Sequence, residues 1–364
     1  MGSVKDLVIL ESAYENKPGI GNFIFSDRYS IFDWGEMPNH IKFKGAALAV
    51  MAGFNFEELE KRGIASHYRG FGDTNVNLKR FSDLKECKNG TNVMQVNLAM
   101  VYKPIAREFL DDHGNKSIVY DYSFFDANRG KINNYLIGLE IIFRNGLPKG
   151  SSVFEKIAKA KENKNPKELE EILSSLGLKE EPKPGDMLPK PIMNYSTKLE
   201  PGDRNLSDVE AYRISGLTEE VFAQVESLAL KVNDFITEQA EKVGMTHYDG
   251  KVEMIYNNGL QIADVVGTLD ENRFGFNDEQ ISKEIIRQWY KKYQLDFAPA
   301  CKKWKETGED WQQRCDVQPI RMPHKLVSLV SKMYMSASNR YTGKRVFDVP
   351  ELDEVMEKLK RYRE

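Results

Sequence analysis

The segment from Asp249 to Arg273 mixes acidic, basic and apolar side chains more densely than the rest of the chain. Its sequence is DGKVEMIYNNGLQIADVVGTLDENR. The side chains that could carry chemistry are Asp249, Lys251, Glu253, Asp264, Asp270 and Arg273. Carboxylates can bind a metal ion, and cations beside them can neutralise phosphate groups. This segment is therefore the first candidate for a functional site.

The same segment has the pattern of a β-hairpin. Apolar and polar residues alternate over 252–256, residues 257–259 (NNG) form a turn, and residues 260–266 supply the returning strand. With this turn closed, Asp264 can come opposite Glu253.

Opposed carboxylates repel each other unless a cation lies between them. Mg²⁺ is commonly held by one or two acidic side chains together with the phosphates of its substrate. The hairpin therefore predicts a Mg²⁺ site at Glu253 and Asp264, surrounded by Lys251, Asp270 and Arg273. A solvated hairpin with cross-strand salt bridges explains the same pattern.

A turn with two glycines lies near the N-terminus. Predicted strands at 7–14 and 22–25 are joined by residues 15–21, ENKPGIG. Such a turn could cover the phosphates of a nucleotide, although a plain hairpin turn is the commoner explanation. The contacts would come from Lys17, Gly19 and Gly21.

The next segment, SDRYSIFD at 26–33, places charged and hydroxyl side chains around apolar Ile31 and Phe32. This composition is typical of a strand end that lines a site. Its candidate substrate-binding residues are Asp27, Arg28 and Ser30.

A third candidate follows the apolar run at 135–143, in which Glu140 would need a buried partner. Residues 144–152, RNGLPKGSS, then lead into a helix. Arg144 and Ser151, with flexible glycines between them, could form an anion site, because free backbone N–H groups point outward from a helix N-terminus. Plain capping of the helix by a serine explains these residues equally well.

Further elements must position these segments. A helix is predicted after Lys44, a strand at 93–101, and a long amphipathic helix at 218–243. The polar and aromatic segment at 103–134 is expected to be an inserted hairpin or lid. From Lys283 onward the chain alternates amphipathic helices with loops.

Composition excludes several classes of protein. The 364 residues carry a net charge of −3 with both signs interspersed, which argues against a nucleic-acid partner. The three cysteines are widely spaced and form no CxxC motif, so a reducing cytoplasm is expected. We find neither an apolar run long enough to span a bilayer nor a cleavable leader, so no membrane partner is expected.

The chain resembles the SAICAR synthetase family over nearly its full length. These are purine-pathway ligases that join L-aspartate to a carboxylated aminoimidazole ribonucleotide at the expense of ATP. The matching motifs, in the same order, are SDRYSIFD at 26–33, KG at 44–45, RGIASH at 62–67, EIIFRNGLPKGSS at 140–152, PIMNYSTKLEPGDRNLS at 191–207, DGKVE at 249–253 and ADVVGTLDENRF at 263–274.

The resemblance implies a two-domain α/β (α+β) fold. A small N-terminal sheet domain, residues 1–100, would close over a larger ATP-grasp-like domain, residues 101–364, with ATP between them. The product would be SAICAR, with ADP and phosphate, formed through an acyl phosphate. A homo-oligomer is left open.

The resemblance also assigns roles. Glu253 and Asp264 would hold Mg²⁺ on the ATP phosphates. Lys251 and Asp270 would lie beside the imidazole carboxylate. The 5′-phosphate of the ribonucleotide would be gripped by Arg144, Ser151 and Arg273.

The chain departs from the family at its first strand, which reads LVILESAYE and lacks the lysines that approach ATP phosphates. Only Lys5 and Lys17 lie near it. Asp264 is also followed by Val265, where the family often has a second acid. These departures leave two alternatives open: a related ligase that uses another amine or acid, and a catalytically silent protein that binds the ribonucleotide.

Overall fold

The computed structural model describes residues 5–74, 77–85, 92–110, 116–305 and 310–363. Its first sheet has four strands in the order β1-β2-β4-β3, each antiparallel to its neighbour. These strands are β1 (Lys5–Glu11), β2 (Gly19–Phe25), β3 (Tyr68–Phe71) and β4 (Val93–Leu98). Helix α1 (Lys44–Lys61) packs against this sheet with one face and against helix α10 (His324–Thr342) with its other face. Being covered on both sides explains why nearly all of α1 is buried.

The second sheet has eight strands and is built around one long central strand, β11 (Thr246–Tyr256). Its main path is β10-β9-β8-β11-β13-β14, and β7 and β12 also pair with β11. The other strands are β7 (Tyr135–Leu136), β8 (Leu139–Gly146), β9 (Met187–Thr197), β10 (Asn205–Leu206), β12 (Leu260–Ala263), β13 (Asn272–Phe276) and β14 (Glu279–Gln280). A long strand shared by several partners holds its side chains rigidly, which suits a site.

Helix α6 packs against β8 and β11. One continuous apolar core runs from the first sheet through α1, α6 and α10 to the second sheet, and a smaller cluster lies under α3 and α4. The remaining helices are α2 (Ser123–Ala127), α3 (Ser152–Glu162), α4 (Pro166–Ser175), α5 (Asp208–Ser215), α6 (Glu219–Lys242), α7 (Glu284–Tyr293), α8 (Phe297–Lys305), α9 (Trp311–Arg314) and α11 (Leu352–Arg363).

Most predicted elements are confirmed. The helix expected at 218–243 is α6, and the helix expected after Lys44 is α1. The insertion at 103–134 contains the hairpin of β5 (Ile105–Leu110) and β6 (Lys116–Asp121), followed by α2. Its action as a lid stays a prediction.

The predicted hairpin at 249–266 is also confirmed, because β11 pairs with β12 across the turn at 257–259. The returning strand is shorter than predicted and ends at Ala263. Glu253 lies opposite Ala263, so Asp264 is one residue beyond the predicted partner position.

The glycine turn near the N-terminus is shorter than the predicted range of 15–21. Strand β2 begins at Gly19 rather than at Asn22, so Gly19 and Gly21 lie in the sheet, paired with β1 and β4. A Cβ atom on Gly19 would lie 2.4 Å from the backbone oxygen of Glu11, so the close approach of β1 requires glycine there. Paired backbone groups are poorly placed to bind phosphate, although the role of these glycines stays a prediction.

The strand pairings named above are antiparallel, so of the two predicted descriptions of the fold, α+β fits better than α/β. The division at residue 100 stays a prediction. Each sheet nevertheless takes its strands from one side of that position, since β4 ends at Leu98 and β7 begins at Tyr135.

Candidate active site

Glu253 and Asp264 come together at the open end of the β11–β12 hairpin. Glu253 points from the central strand and is buried. Asp264 follows β12 with a φ of 59°, in the left-handed region that few residues other than glycine adopt. His67 holds this turn, because its Nε2 donates to the Asp264 carbonyl oxygen at 3.1 Å. Burial lowers the pKa of His67 to about 4, so the imidazole is neutral at pH 7.

Each carboxylate of this acid pair has a lysine beside it. The ammonium of Lys198 lies 2.6 Å from Glu253, and Lys5 at the start of β1 forms an ion pair with Asp264. Burial, together with the charge of Asp264, raises the pKa of Glu253. Burial also acts to raise the pKa of Asp264, but Lys5 and Lys198 outweigh it and the pKa is lowered.

Glu140 lies next to the acid pair and has the buried partners that its position in an apolar run requires. Lys251 contacts it at 2.5 Å and Lys198 at 3.3 Å. Burial acts to raise the pKa of Glu140, but the two lysines lower it overall. Lys251 also lies 3.3 Å from Glu271, and these acids raise its pKa against the effect of burial. Glu140 and Lys251 are therefore both charged at neutral pH.

A mainly apolar cavity of about 400 Å³ lies between the first sheet and the hairpin. Glu253 and Asp264 supply its charge, and Ser12, His67 and Asn97 its further polar side chains. The apolar walls come from the two sheets and from the segment after β4: Leu7, Ile9, Phe23, Leu98, Met100, Val101, Leu136 and Ile255. This cavity can take a flat apolar group whose charged end lies near the acid pair.

A second cavity, of about 330 Å³, is rich in cations. It lies beside Lys251 on the same strand, β11, and its wall includes Asp249, Asp270 and Glu271. The cations that line it are Arg144, Lys251, Arg273, Lys283 and Arg287. A compact anion such as a phosphate would find several donors here.

Arg144 is the least satisfied of these cations. Its Nε is buried without a hydrogen-bond partner in the described part of the chain. Burial lowers the pKa of its guanidinium, and Asp249 only partly offsets this. The nearby acid Asp249 is instead paired with Arg273, whose Nε and Nη2 each donate to one of its carboxylate oxygens. An anionic ligand would thus supply Arg144 with a partner that the protein does not.

Asp270 lines this second cavity and has an ion-pair partner and a hydrogen-bond donor in the protein. Lys44, which is fully buried, lies 2.7 Å from one carboxylate oxygen, and the Tyr334 hydroxyl donates to the other at 2.8 Å. Burial acts to raise the pKa of Asp270, but Lys44 and Lys283 lower it. Asp270 and Arg273 therefore line the cation-rich cavity, whereas Glu253 lines the apolar one, and their place around an ion stays a prediction.

The remaining predicted residues lie outside the walls of both cavities. Ser151 caps α3 by accepting a hydrogen bond from Val153, which confirms the capping alternative without testing a role in binding. Asp27 accepts from the backbone of Gly45, and Arg28 pairs with Asp6 at 2.7 Å.

The Ser30 hydroxyl accepts from the backbone of Gly35. Lys17 is exposed at the turn between β1 and β2. The roles of these residues in binding stay predictions.

Four residues of the two sites are not predicted from the sequence: Lys198, Lys283, Lys44 and Tyr334. Lys198 lies within the matched motif at 191–207 and Lys44 within the KG motif at 44–45, so the motifs offer a signal for both. Lys283 and Tyr334 offer none, because Lys283 only precedes a helix and Tyr334 is one of several aromatic residues on α10. Lys5 was noted as a nearby cation but not placed at Asp264.

Other predicted features fit this arrangement. Cys301 and Cys315 are buried and free, while Cys87 lies outside the described residues. Within the described ranges no helix has the length and apolar character needed to cross a membrane. Nor do those ranges contain three or more His, Cys, Asp or Glu side chains grouped so that they could hold a metal ion.

Comparison with known proteins identifies the family. The sequence pattern of SAICAR synthetase matches residues 10–303. A relative from Archaeoglobus fulgidus, provisionally named phosphoribosylaminoimidazole-succinocarboxamide synthase, is 39% identical over 99% of both chains. The synthase of that name from Thermoplasma acidophilum is 27% identical over 89% of this chain and 93% of its own length.

Solved structures agree in fold. The SAICAR synthase from Saccharomyces cerevisiae complexed with SAICAR superposes with a TM-score of 0.60 at 22% identity, over 95% of this chain and 94% of that one. A SAICAR synthetase in complex with ADP gives a TM-score of 0.54 at 17% identity, over 96% and 98%. The chain therefore belongs to the SAICAR synthetase family, and the predicted ligase activity of that family is confirmed.

Proposed function

We propose that the two cavities divide the substrates of the SAICAR synthetase reaction between them. ATP with Mg²⁺ occupies the apolar cavity, with its phosphates at Glu253 and Asp264. The carboxylated aminoimidazole ribonucleotide occupies the cation-rich cavity, with its 5′-phosphate at Arg144 and Arg273. L-Aspartate then supplies the amine.

The observation that carries this proposal is the charged bridge between the cavities. Lys251 lines the cation-rich cavity and Glu253 the apolar one, two residues apart on the same face of β11. Lys198 contacts Glu253 and Glu140, and Lys251 contacts Glu140. A phosphoryl donor in one cavity and a carboxylate acceptor in the other would meet at these lysines.

The acid pair has the right chemistry for Mg²⁺. It offers two carboxylates, which are oxygen ligands, and the cavity beside it leaves room for phosphates to complete the coordination. When bound, the ion would neutralise phosphate charge and hold the γ-phosphate in line for transfer. The two lysines already beside the acids show that this position favours positive charge.

The reaction requires charge neutralisation more than acid–base chemistry. A carboxylate oxygen of the imidazole takes the γ-phosphoryl group, and ADP leaves. The aspartate amine then attacks the acyl carbon, the C–N bond forms, and phosphate departs with the electrons of the broken C–O bond. Lys251 is placed to stabilise the carboxylate of the imidazole, and the raised pKa of its ammonium keeps Lys251 charged throughout the reaction.

The test is ADP release with the carboxyaminoimidazole ribonucleotide, L-aspartate and Mg²⁺–ATP. We expect release that depends on all three substrates and on Mg²⁺. Replacing aspartate by a panel of other amines checks the alternative ligase, since faster release with another amine would overturn aspartate as the substrate. Calorimetry checks the silent alternative, which predicts ribonucleotide binding without any binding of Mg²⁺–ATP.

A further inference from the structure

Lys5 links the two sheets beside the apolar cavity, because its partner Asp264 lines that cavity. It opens β1, at the edge of the first sheet, and its ammonium reaches Asp264 at the end of β12 in the second sheet. About four-fifths of each side chain is buried, with exposures of 19% for Lys5 and 18% for Asp264. An ion pair in this position is shielded from solvent on most sides, so its partners interact more strongly than at the surface.

The surroundings of Lys5 hold its ammonium in place. The ammonium lies 5.0 Å from the centre of the Phe23 ring, within the range of a cation–π contact. Phe23 in turn packs edge-on against His67, which bonds the carbonyl of Asp264. The left-handed conformation of Asp264 is thus stabilised from both sides by residues of the N-terminal sheet and its connections.

The charges at this position balance without any ligand. Glu253 faces Lys198 and Asp264 faces Lys5, which gives one ammonium for each carboxylate. A divalent ion bound by both acids would bring two more positive charges into the same space. Lys198 is retained by a second acid, Glu140, whereas Asp264 is the one acidic partner of Lys5 among the described residues. Lys5 is therefore the cation that can leave.

We propose that Lys5 is an internal counter-ion that holds the metal position beside Asp264 until the metal–nucleotide arrives, and then transfers its contact to the nucleotide phosphates. This inference rests on the proposed placement of Mg²⁺–ATP in the apolar cavity. Lys17 is the competing candidate. Neither lysine lines the cavity wall, but Lys5 contacts Asp264, which does, whereas the side chain of Lys17 is exposed.

The two halves of this inference predict opposite effects of one substitution. Lys5→Met removes the competitor for the metal, so Mn²⁺ alone, followed by the electron paramagnetic resonance of the free ion, should bind about threefold more tightly or better. The same change leaves an excess negative charge, so ADP without metal should bind at least about tenfold more weakly in calorimetry. A merely structural lysine would weaken both.

Three further variants sharpen the test. Lys5→Arg keeps the charge and should bind ADP within about threefold of the unaltered protein. Lys167→Met removes an exposed lysine of α4, whose side chain is 85% exposed, and should change neither measurement. If Lys5→Met does not fold, Lys5→Gln retains donors for Asp264 without the charge and carries the same expectations.

The outcomes separate this inference from the proposed function. An unchanged affinity for ADP or for Mn²⁺ in folded Lys5→Met overturns the role of Lys5, and so does a loss of ADP binding in Lys17→Met alone. If the unaltered protein binds ADP, either result leaves the apolar cavity as the nucleotide site. If the unaltered protein binds no ADP with or without Mg²⁺, the nucleotide site and the role of Lys5 are both wrong.

Discussion

The two cavities share one strand and differ in almost every other physical property. Asp249 and Lys251 of β11 line the cation-rich cavity, whereas Glu253 and Ile255 line the apolar one. The first cavity is walled by charged side chains from nearby segments of the second sheet and the start of α7. The second takes most of its wall from apolar side chains of the two sheets and of the segment after β4, and its charge comes from Glu253 and Asp264 alone.

This difference shows how one strand can serve two ligands. A compact, highly charged group would bind where cations outnumber the acids that could pair with them, since the Nε of Arg144 has no hydrogen-bond partner among the described residues. A ligand with a flat ring and a charged tail would bind where apolar walls end at charged groups. The alternating side chains of β11 carry the charged groups from one environment to the other, so phosphate transfer can occur between them.

The largest effect should come from removing the charges of the acid pair. Glu253→Gln and Asp264→Asn keep the shape of each side chain but remove a charge directed at the metal, so turnover should fall by about 100-fold or more. Stability should change less than turnover, because Lys198 keeps Glu140 as a partner in Glu253→Gln, and Lys5, which loses its acid in Asp264→Asn, is partly exposed to solvent. Steady-state ADP release and thermal unfolding measure the two quantities.

The matched control is Glu170→Gln on the exposed face of α4. It removes a carboxylate far from both cavities and should leave turnover unchanged. Near-normal turnover in both Glu253→Gln and Asp264→Asn would refute the assignment of the metal to this pair. An equal fall in the control would indicate a general effect of net charge.

The second effect tests whether the cavities bind separate ligands. Arg144→Ala removes a charge-assisted contact to phosphate, so ribonucleotide binding should weaken by roughly 1.5–3 kcal/mol while ATP affinity stays nearly unchanged. Calorimetry with each ligand alone measures both affinities. Equal weakening of the two ligands would make Arg144 a structural residue and would break the division between the cavities.

The charged residues of the two cavities were easier to predict from the sequence than the apolar residues. Glu253, Asp264, Lys251 and Arg273 lie within one hairpin and the strand that follows, so a two-residue period and a turn were enough to bring them together. The position of Glu140 in an apolar run also predicted cationic partners, which are Lys251 and Lys198.

The apolar cavity could not be predicted in the same way. Its wall joins Leu7 and Ile9 of β1 to Leu98 and Met100, which are distant in sequence and read as ordinary strand residues. Lys5 was noticed only as a nearby cation, because its partner Asp264 lies 259 residues away. Contacts of that range depend on how the two sheets pack, and no local pattern encodes them.

A third prediction sharpens the apolar side. Ile9 lines the cavity yet is 60% exposed, so it contributes little to the core and is free to cover a bound ring. Ile9→Ser should weaken ADP binding by about 1 kcal/mol, or roughly fivefold, through lost apolar burial.

Its matched control is Val8→Ser, the neighbour on the opposite face of β1, which is 42% exposed and outside the cavity wall. Calorimetry should show no change in ADP affinity for the control. If both variants behave alike, the nucleotide base lies elsewhere and the cavity between the sheets is not its site.

The smallest effect concerns the histidine behind the cation-rich cavity. His247 is buried and hydrogen-bonded to Asn272, whose side chain lines that cavity, and burial lowers the pKa of His247 to about 4. The unfolded chain, with an ordinary histidine pKa near 6.5, therefore binds more protons than the folded protein at mildly acidic pH. This contribution to stability is complete above about pH 6.5 and is lost as the pH falls towards 4. Between pH 6.5 and 5.5 the loss should be about 1 kcal/mol.

Denaturant unfolding at a series of pH values measures this loss, and substitution identifies its source. His247→Gln should lower stability at pH 7 but remove about half of the decline between pH 6.5 and 5.5, because His67, whose pKa is also lowered to about 4, still titrates. His40→Gln is the control, since His40 is exposed beside Glu36 and should leave the slope as it is. A decline that is equally steep in His247→Gln would mean that the imidazole is already protonated in the folded protein. The cavity wall at Asn272 would then carry a further positive charge, and the contrast in charge between the two cavities would be larger than the structure indicates.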